Sequence, residues 1–160
     1  MNLRIQYLTR PTPDFIALVA LLDEELHSKN GELQETYDQY NTLNRISDFF
    51  IAYHDQIPVG IAAMKRYDDA AYEVKRVFVK KEYRGNGVAK LLMKKLEEKA
   101  AEQNIQSLIL ETSNILVAAV NLYRGLGYQV IENFGQYAGM PASVCLRKAI
   151  QAEPPLTIFE

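Results

Sequence analysis

A glycine-containing loop between a strand pattern and a long helix pattern is the feature that most constrains the fold of this chain. Ala71–Val79 is rich in β-branched residues and predicts a strand, and residues 87–103 carry their apolar side chains on one helical face. Residues 105–112 form an apolar run that predicts a buried strand directly after the helix. A strand, a helix and a second strand in this order predict a right-handed crossover between parallel strands.

The remaining patterns place further strands and helices around this crossover. Leu3–Leu8 predicts a short strand, and apolar residues at helical spacing after Asp14, which we take as the N-cap, predict a helix. The predicted fold class is therefore α+β, with a mixed, mostly antiparallel sheet around a central β-loop-α-β crossover. The other predicted strands cover residues 48–54, 58–67, 128–134 and 142–148, and the other predicted helices cover residues 35–43 and 116–126.

Length and composition limit the architecture. The chain has 160 residues, of which 48% are hydrophobic and 24% charged, and this suits one globular domain with a core of its own. We expect a single domain over residues 1–150 and a peripheral tail over residues 151–160. The single cysteine, Cys145, excludes an intrachain disulfide, and its alternation with apolar neighbours predicts a core position. No Cys/His cluster in the sequence offers a metal site.

Charge and hydropathy argue against nucleic acid or a membrane as a partner. The net charge is −2, and no stretch approaches the length of a membrane-spanning helix, so we expect a cytoplasmic protein. The charge is unevenly distributed: residues 65–99 carry eleven basic and six acidic residues, whereas residues 1–64 carry four basic and nine acidic ones. A basic middle suits a phosphorylated ligand, and an acidic N-terminal third would attract a cationic one.

The loop itself, residues 83–89, points to an anionic ligand. Its glycines allow the backbone to approach a ligand closely, and the unpaired N–H groups and dipole of the following helix favour a pyrophosphate. Arg84 would supply a planar donor fork for phosphate. The loop is not a Rossmann fingerprint, since Lys90 stands where the third glycine belongs, and it lacks the Gly-Lys-Ser/Thr of a Walker loop. Taken alone, it leaves phosphate binding and a simple tight turn equally open.

Two motifs in the right order make the chain resemble the GNAT superfamily of N-acetyltransferases. The superfamily's Gln/Arg-x-x-Gly-x-Gly/Ala motif is met by Arg84, Gly87 and Ala89, and its Leu-Tyr-x-x-x-Gly-Phe/Tyr signature by residues 122–128. The resemblance covers roughly residues 48–148 and implies the acyl-CoA N-acyltransferase fold. It also implies an enzyme that moves the acetyl group of acetyl-CoA directly to a primary amine of a small molecule or peptide, through a tetrahedral intermediate.

The resemblance further implies which residues bind acetyl-CoA. The backbone at the end of the strand would pair with pantetheine, the loop amides would hold the pyrophosphate, and an N–H near Val79 would stabilise the oxyanion. Many members carry an asparagine where this chain has Leu116, so Asn114 or Asn121 is the alternative pantetheine contact. The cofactor-binding residues implied in this way are Val77, Phe78, Val79, Arg84, Gly85, Asn86, Gly87, Val88, Ala89, Asn114 and Asn121.

Acetyl transfer to an amine needs two proton transfers. An amine with a pKa near 10 is mostly protonated at neutral pH, so a base or a water relay must deprotonate it, and the departing thiolate benefits from an acid. Tyr123 stands where the family's acid tyrosine lies, and the resemblance implies that its phenol protonates the sulfur. The alternative is a tyrosine that only packs in the core.

Glu73 is the candidate general base. Period-two geometry would place it on one face of its strand with Lys75, Val77 and Val79, looking toward the acetyl group. A simple ion pair of Glu73 with a neighbouring cation is an equal alternative. Glu111, at the end of the next strand, competes for the same role or for binding of the amine.

The acceptor is expected against the N-terminal third of the chain. Around residues 27–45, acidic and aromatic side chains could receive a cationic amine, although a solvated helix face is the alternative for each of them. The main alternative function is a GNAT-like sensor module that holds acetyl-CoA and transfers nothing. The acceptor and the oligomeric state stay open, with a homodimer among the options. The side chains concerned are those of Glu32, Glu35, Tyr37, Asp38, Tyr40 and Asn41.

Overall fold

The computed structural model of the chain describes residues 1–31 and 43–150. The predicted tail over residues 151–160 lies outside the described residues, and so does nearly all of the predicted helix over residues 35–43. The same holds for the side chains expected to receive the amine, which are those of Glu32, Glu35, Tyr37, Asp38, Tyr40 and Asn41.

The described residues form a mixed sheet with helices between its strands. The elements are β1 (Leu3–Leu8), α1 (Pro13–Asn30), β2 (Ile46–His54), β3 (Ile57–Arg66), β4 (Ala71–Val79), α2 (Val88–Glu102), β5 (Ser107–Ser113), α3 (Val117–Gly125), β6 (Gln129–Ile131) and β7 (Ser143–Ala149). The strands follow the order β1-β2-β3-β4-β5-β7-β6 in the sheet. β4 and β5 are parallel and joined through α2, whereas β1–β2, β2–β3, β5–β7 and β6–β7 are antiparallel, so the predicted α+β class and central crossover are confirmed.

Two compact units alternate along the chain. Unit 1 consists of Met1–Arg66 and Lys75–Leu96, and unit 2 of Tyr67–Val74 and the described part of Glu97–Glu160. Both β4 and α2 therefore belong in part to each unit.

In unit 1, α1 begins at a threonine cap rather than at the predicted Asp14. The Thr12 hydroxyl accepts a hydrogen bond from the Phe15 N–H at 3.3 Å, and Pro13 occupies the first helical position. Proline suits that position because its fixed φ is already helical and its missing N–H would have no partner there. Asp14, one residue further on, instead accepts a hydrogen bond from the Tyr53 hydroxyl at 2.8 Å.

The core of unit 1 fixes α1 against the sheet. Phe15 and Leu18 of α1 are 0% and 1% exposed, and the ring of Phe15 lies edge-on to that of Phe49 at 5.1 Å. Burying each such side chain stabilises the fold by roughly 1.5–3 kcal/mol. Asp23 and Glu25 lie further along the same helix, so this core positions two carboxylates that contact Arg76 of β4 and Arg84 of the glycine loop. Other buried members of the cluster are Leu22, Ile46, Ile51, Tyr53, Ile61, Ala63 and Phe78.

Gly60 of β3 lets the start of α2 approach the sheet, and we expect even a methyl group there to destabilise the protein. A Cβ at this position would lie 2.9 Å from Val88 Cγ1 and 3.2 Å from the Phe78 carbonyl oxygen. Overpacking of this kind costs roughly 1–3 kcal/mol. Gly60→Ala should therefore lower the free energy of unfolding in urea titrations. Gly125→Ala is the control, because no atom lies within 4 Å of a Cβ there; equal stabilities of the two variants would contradict this account.

In unit 2, β6 is shorter than predicted because the chain turns away from the sheet early. It covers Gln129–Ile131 rather than residues 128–134. Beyond it, the Asn133 side chain donates to the Met140 carbonyl at 3.0 Å, and Gly135 opens a short 3-10 helix with a φ of 51°. Tyr128, just before the strand, is buried, and its hydroxyl donates to Glu97 at 3.4 Å.

Candidate functional site

The glycine loop in unit 1 has the backbone expected of an anion site. Gly85 and Gly87 have φ angles of 82° and 78°, in the left-handed region that glycine adopts most readily, and no atom lies within 4 Å of a Cβ built on either. The Leu91 N–H donates to the Gly87 carbonyl at 3.0 Å and opens α2. The three amides before Leu91 therefore have no acceptor one turn back within the helix, as is usual at a helix start.

Arg84 is bonded within unit 1. Its Nε donates to the Val79 carbonyl at 2.9 Å, and its Nη2 donates to Glu25 of α1 at 2.8 Å. The hydrogen bond from Arg84 holds the pKa of Glu25 below its usual value. Arg84 thus ties the loop to β4 and α1 with two of its five donors, a role that the sequence did not suggest.

Asn86 closes the same loop through its side chain. Its Nδ2 donates to the carbonyls of Tyr83 and Arg84, at 3.1 Å and 3.3 Å. The side chain of Asn86 is thus directed to the loop's own backbone. Asn86 would therefore donate a hydrogen bond to a bound anion through its main-chain N–H.

The predicted common face of Glu73, Lys75, Val77 and Val79 on β4 is interrupted. Arg76 has a φ of 60°, which is left-handed backbone in the middle of a strand, and the side chains from Glu73 to Arg76 are all buried. Strict alternation needs extended backbone throughout, so the prediction fails across Arg76. The parallel register with β5 runs only from Ala71, opposite Ser107, to Glu73, opposite Ile109.

Glu73 and Glu111, the two candidate bases, both act electrostatically on the side chains of Tyr137 and Cys145 in unit 2. Glu73 is 1% exposed, and its Oε2 accepts a hydrogen bond from the Tyr137 hydroxyl at 3.4 Å. Burial raises the pKa of Tyr137 above its ordinary value, and the charges of Glu73 and Glu111 add to the shift. Burial also raises the pKa of Cys145 to about 11, again with contributions from both carboxylates. Cys145 is fully buried, as predicted.

Glu111 has a hydroxyl partner of its own. The Ser143 Oγ donates to its Oε2 at 2.9 Å, and Glu111 lies opposite Cys145 in the β5–β7 register. Tyr137 and Ser143 were missed from the sequence because each contacts its carboxylate across a long separation, 64 and 32 positions respectively.

Tyr123 of α3 is buried in unit 2, with 8% of its surface exposed. Its ring lies at 69° to that of Tyr128, with the centroids 6.0 Å apart. Burial raises the pKa of its phenol above the ordinary value of 10.0. The hydroxyl therefore stays protonated at neutral pH, which is the form a proton donor requires.

The two alternative pantetheine contacts differ in their surroundings. The Asn114 side chain donates to the Pro141 carbonyl at 3.5 Å, and its backbone N–H donates to the Ala142 carbonyl at 2.8 Å. Asn121 is exposed on α3. Asn114 is exposed as well, but its side chain is bonded to the connection between β6 and β7.

Over residues 1–31 and 43–150, no group of three or more His, Cys, Asp or Glu side chains is arranged to hold a metal ion. Within the same residues, no helix has the length and apolar character needed to cross a membrane.

The chain as a whole is similar to known acetyltransferases in sequence and in fold. The chain is 30% identical over 149 residues to the IAA acetyltransferase of Azospirillum brasilense, covering 89% of this chain and 97% of that protein. It is 32% identical over 135 residues to human N-acetylaspartate synthetase, covering 82% of this chain but only 43% of that longer relative. A GNAT family acetyltransferase of Elizabethkingia anophelis, solved with acetyl-CoA bound, superposes with a TM-score of 0.68 at 20% identity, covering 92% and 98% of the two chains. That likeness concerns the fold.

Residues 15–128 match the model of the acetyltransferase (GNAT) family, which is more than half of the chain. The chain belongs to the GNAT family of acetyltransferases.

Proposed function

We propose that this protein is an N-acetyltransferase that moves the acetyl group of acetyl-CoA directly to a primary amine, through a tetrahedral adduct. The observation that carries the proposal is the loop before α2, where two left-handed glycines precede a helix start in a chain of this family.

The hydrogen-bond donors of the loop suit a pyrophosphate. The main-chain amides of Gly85, Asn86, Gly87, Val88 and Ala89 would hold the phosphates, helped by the positive end of the α2 dipole. Since no side chain is needed for this, the exposed loop and its open glycines suit the group. Acetyl-CoA, when bound, supplies the activated thioester.

Pantetheine would pair with the backbone at the end of β4. The Val79 carbonyl already accepts a hydrogen bond from Arg84, so the group proposed for pairing with pantetheine is the carbonyl of Val77. The N–H of Val79 is proposed to stabilise the oxyanion that forms during transfer. Asn121 is the preferred side-chain contact because the Asn114 amide already donates to the Pro141 carbonyl.

Glu73 is proposed as the base that receives the proton of the amine. A buried carboxylate with a tyrosine hydroxyl as neighbour is held in one orientation, which favours directed proton transfer. Glu111 is the alternative, and its hydrogen bond to Ser143 equally suits it to hold the ammonium group of the acceptor. Tyr123 is proposed as the acid that protonates the departing thiolate.

Coenzyme A is expected to raise the melting temperature of the protein. A ligand that binds only the native state stabilises it by about 2.7 kcal/mol when its concentration is a hundred times its Kd. Thermal melts with and without saturating coenzyme A check this, with adenosine as the control because it lacks the pyrophosphate. A melting temperature with coenzyme A equal to that with adenosine would contradict cofactor binding.

Release of free thiol from acetyl-CoA in the presence of a panel of amines tests the transfer itself. Amine-dependent release supports the enzyme. Binding of acetyl-CoA without release from any amine would favour the sensor module instead.

A further inference from the structure

Arg76 of β4 combines three features that are unusual in one residue. Its side chain is 3% exposed, its backbone is left-handed with a φ of 60°, and its Nε–H has no hydrogen-bond partner within the described residues. Its Nη2 pairs with the Asp23 carboxylate of α1.

Each of these features costs stability. A buried donor without an acceptor loses its hydration and regains nothing, and such groups are rare in native proteins. Left-handed backbone at a residue other than glycine is also unfavourable, and strain of this kind concentrates at functional sites. Two unrelated costs at one arginine indicate that the side chain is held for a partner that binds there.

The position of Arg76 identifies the kind of partner. It directly precedes Val77, where we propose that pantetheine pairs, and all of Arg76, Asp23 and Val77 belong to unit 1. The Asp23 side chain is 44% exposed, so water screens its charge and it compensates the buried guanidinium incompletely. An oxygen that carries a negative charge would satisfy both the Nε–H and the charge, and a carboxylate matches the guanidinium geometry.

We infer that Arg76 binds a carboxylate of the acceptor, so that the amine substrate is an amino acid or another amino-carboxylate. The inference rests on the proposed acetyl transfer to an amine. It agrees with the name of one relative, N-acetylaspartate synthetase, whose product carries carboxylates on the acceptor part.

Matched acceptors test this inference. Thiol release is measured with the common L-amino acids and with their α-carboxamides, which keep the amine and side chain but lose the α-carboxylate. Loss of a hydrogen bond to a charged group corresponds to about a 10- to 100-fold change. We therefore expect kcat/KM for the best acids to exceed that for their amides by this factor. In Arg76→Gln the ratio should fall to near one, while the coenzyme A melting shift is unchanged.

Two further variants separate binding from folding. Arg76→Lys keeps a cation beside Asp23 but lacks the Nε–H, and it should lose much of the preference for acids while melting like the parent. Asp23→Asn removes the internal partner and should retain the preference. Equal use of acids and amides by the parent protein, or an unchanged preference in folded Arg76→Gln, overturns the inference. A loss of coenzyme A affinity in Arg76→Gln assigns the arginine to the cofactor and also overturns it.

Failure of the proposed function gives a different result. If coenzyme A binds but no amine is acetylated, the carboxylate site is tested by calorimetric titration of the same acids and amides into the coenzyme A complex. Binding of acids alone, abolished in Arg76→Gln, supports the carboxylate site. No binding of any acid overturns it.

Discussion

Replacing Gly87 by glutamate is expected to abolish coenzyme A binding while the protein stays folded. The new carboxylate would stand at the loop amides, where its charge repels the pyrophosphate and its bulk fills the approach. No atom lies within 4 Å of a Cβ at Gly87, so the first atom of the new side chain meets no clash in the free protein. Its left-handed backbone costs roughly 1–2 kcal/mol, which an acidic group at a helix start offsets by about 0.3–1 kcal/mol. Calorimetric titration of coenzyme A measures the effect.

Gly139→Glu is the matched control for this experiment. Gly139 has a φ of 79° and no atom within 4 Å of a Cβ, so the variant introduces the same strain and the same charge at a residue outside the loop. It should bind coenzyme A like the parent protein. Undiminished binding by folded Gly87→Glu would show that the loop is not the pyrophosphate site.

Removing only the hydroxyl of Tyr123 is expected to lower kcat by about a hundredfold, within the range for loss of a general acid. The ring that packs against Tyr128 remains in Tyr123→Phe, so the melting temperature should change little. The KM for acetyl-CoA should move far less than kcat, because a proton donor acts mainly in the transition state. Steady-state kinetics of thiol release provide both constants.

The neighbouring Tyr128 supplies the control. Its hydroxyl bonds to Glu97, so Tyr128→Phe removes a buried hydroxyl from the same aromatic pair and should cost about 1 kcal/mol of stability with kcat unchanged. A large rise in KM with unchanged kcat in Tyr123→Phe would make Tyr123 a cofactor-positioning residue. Unchanged kcat and KM in Tyr123→Phe would show that Tyr123 only packs in the core. Glu73 or ordered water would then carry out the proton transfers.

Much of the fold could be predicted because local patterns and core contacts agree. β1 and β4 have the predicted bounds, Leu3–Leu8 and Ala71–Val79, since turn residues flank both runs. α2, predicted over residues 87–103, covers Val88–Glu102, because its apolar face is continuous and a glycine precedes it. The family motifs are local in sequence too, so the loop of residues 83–89 can be found from the sequence alone.

The features that escaped prediction are of two physical kinds. Some are backbone states that the residue type does not favour: arginine rarely adopts left-handed φ, so nothing in the sequence marked Arg76. Others are contacts between distant segments, such as Tyr137 with Glu73, which no local periodicity reports. The N-cap of α1 belongs to neither kind. Threonine directly before proline is itself a sequence signal for a helix start, so Thr12 could have been predicted in place of Asp14.

The left-handed residue in β4 also limits how this gene can change. One irregular residue divides the strand into two segments whose side chains alternate out of step. Deleting or inserting a single position on either side would turn every later side chain to the opposite face. Phe78 would then leave the core that holds α1. The length of β4 therefore cannot drift, and alignments of homologues should show no gap between residues 71 and 79.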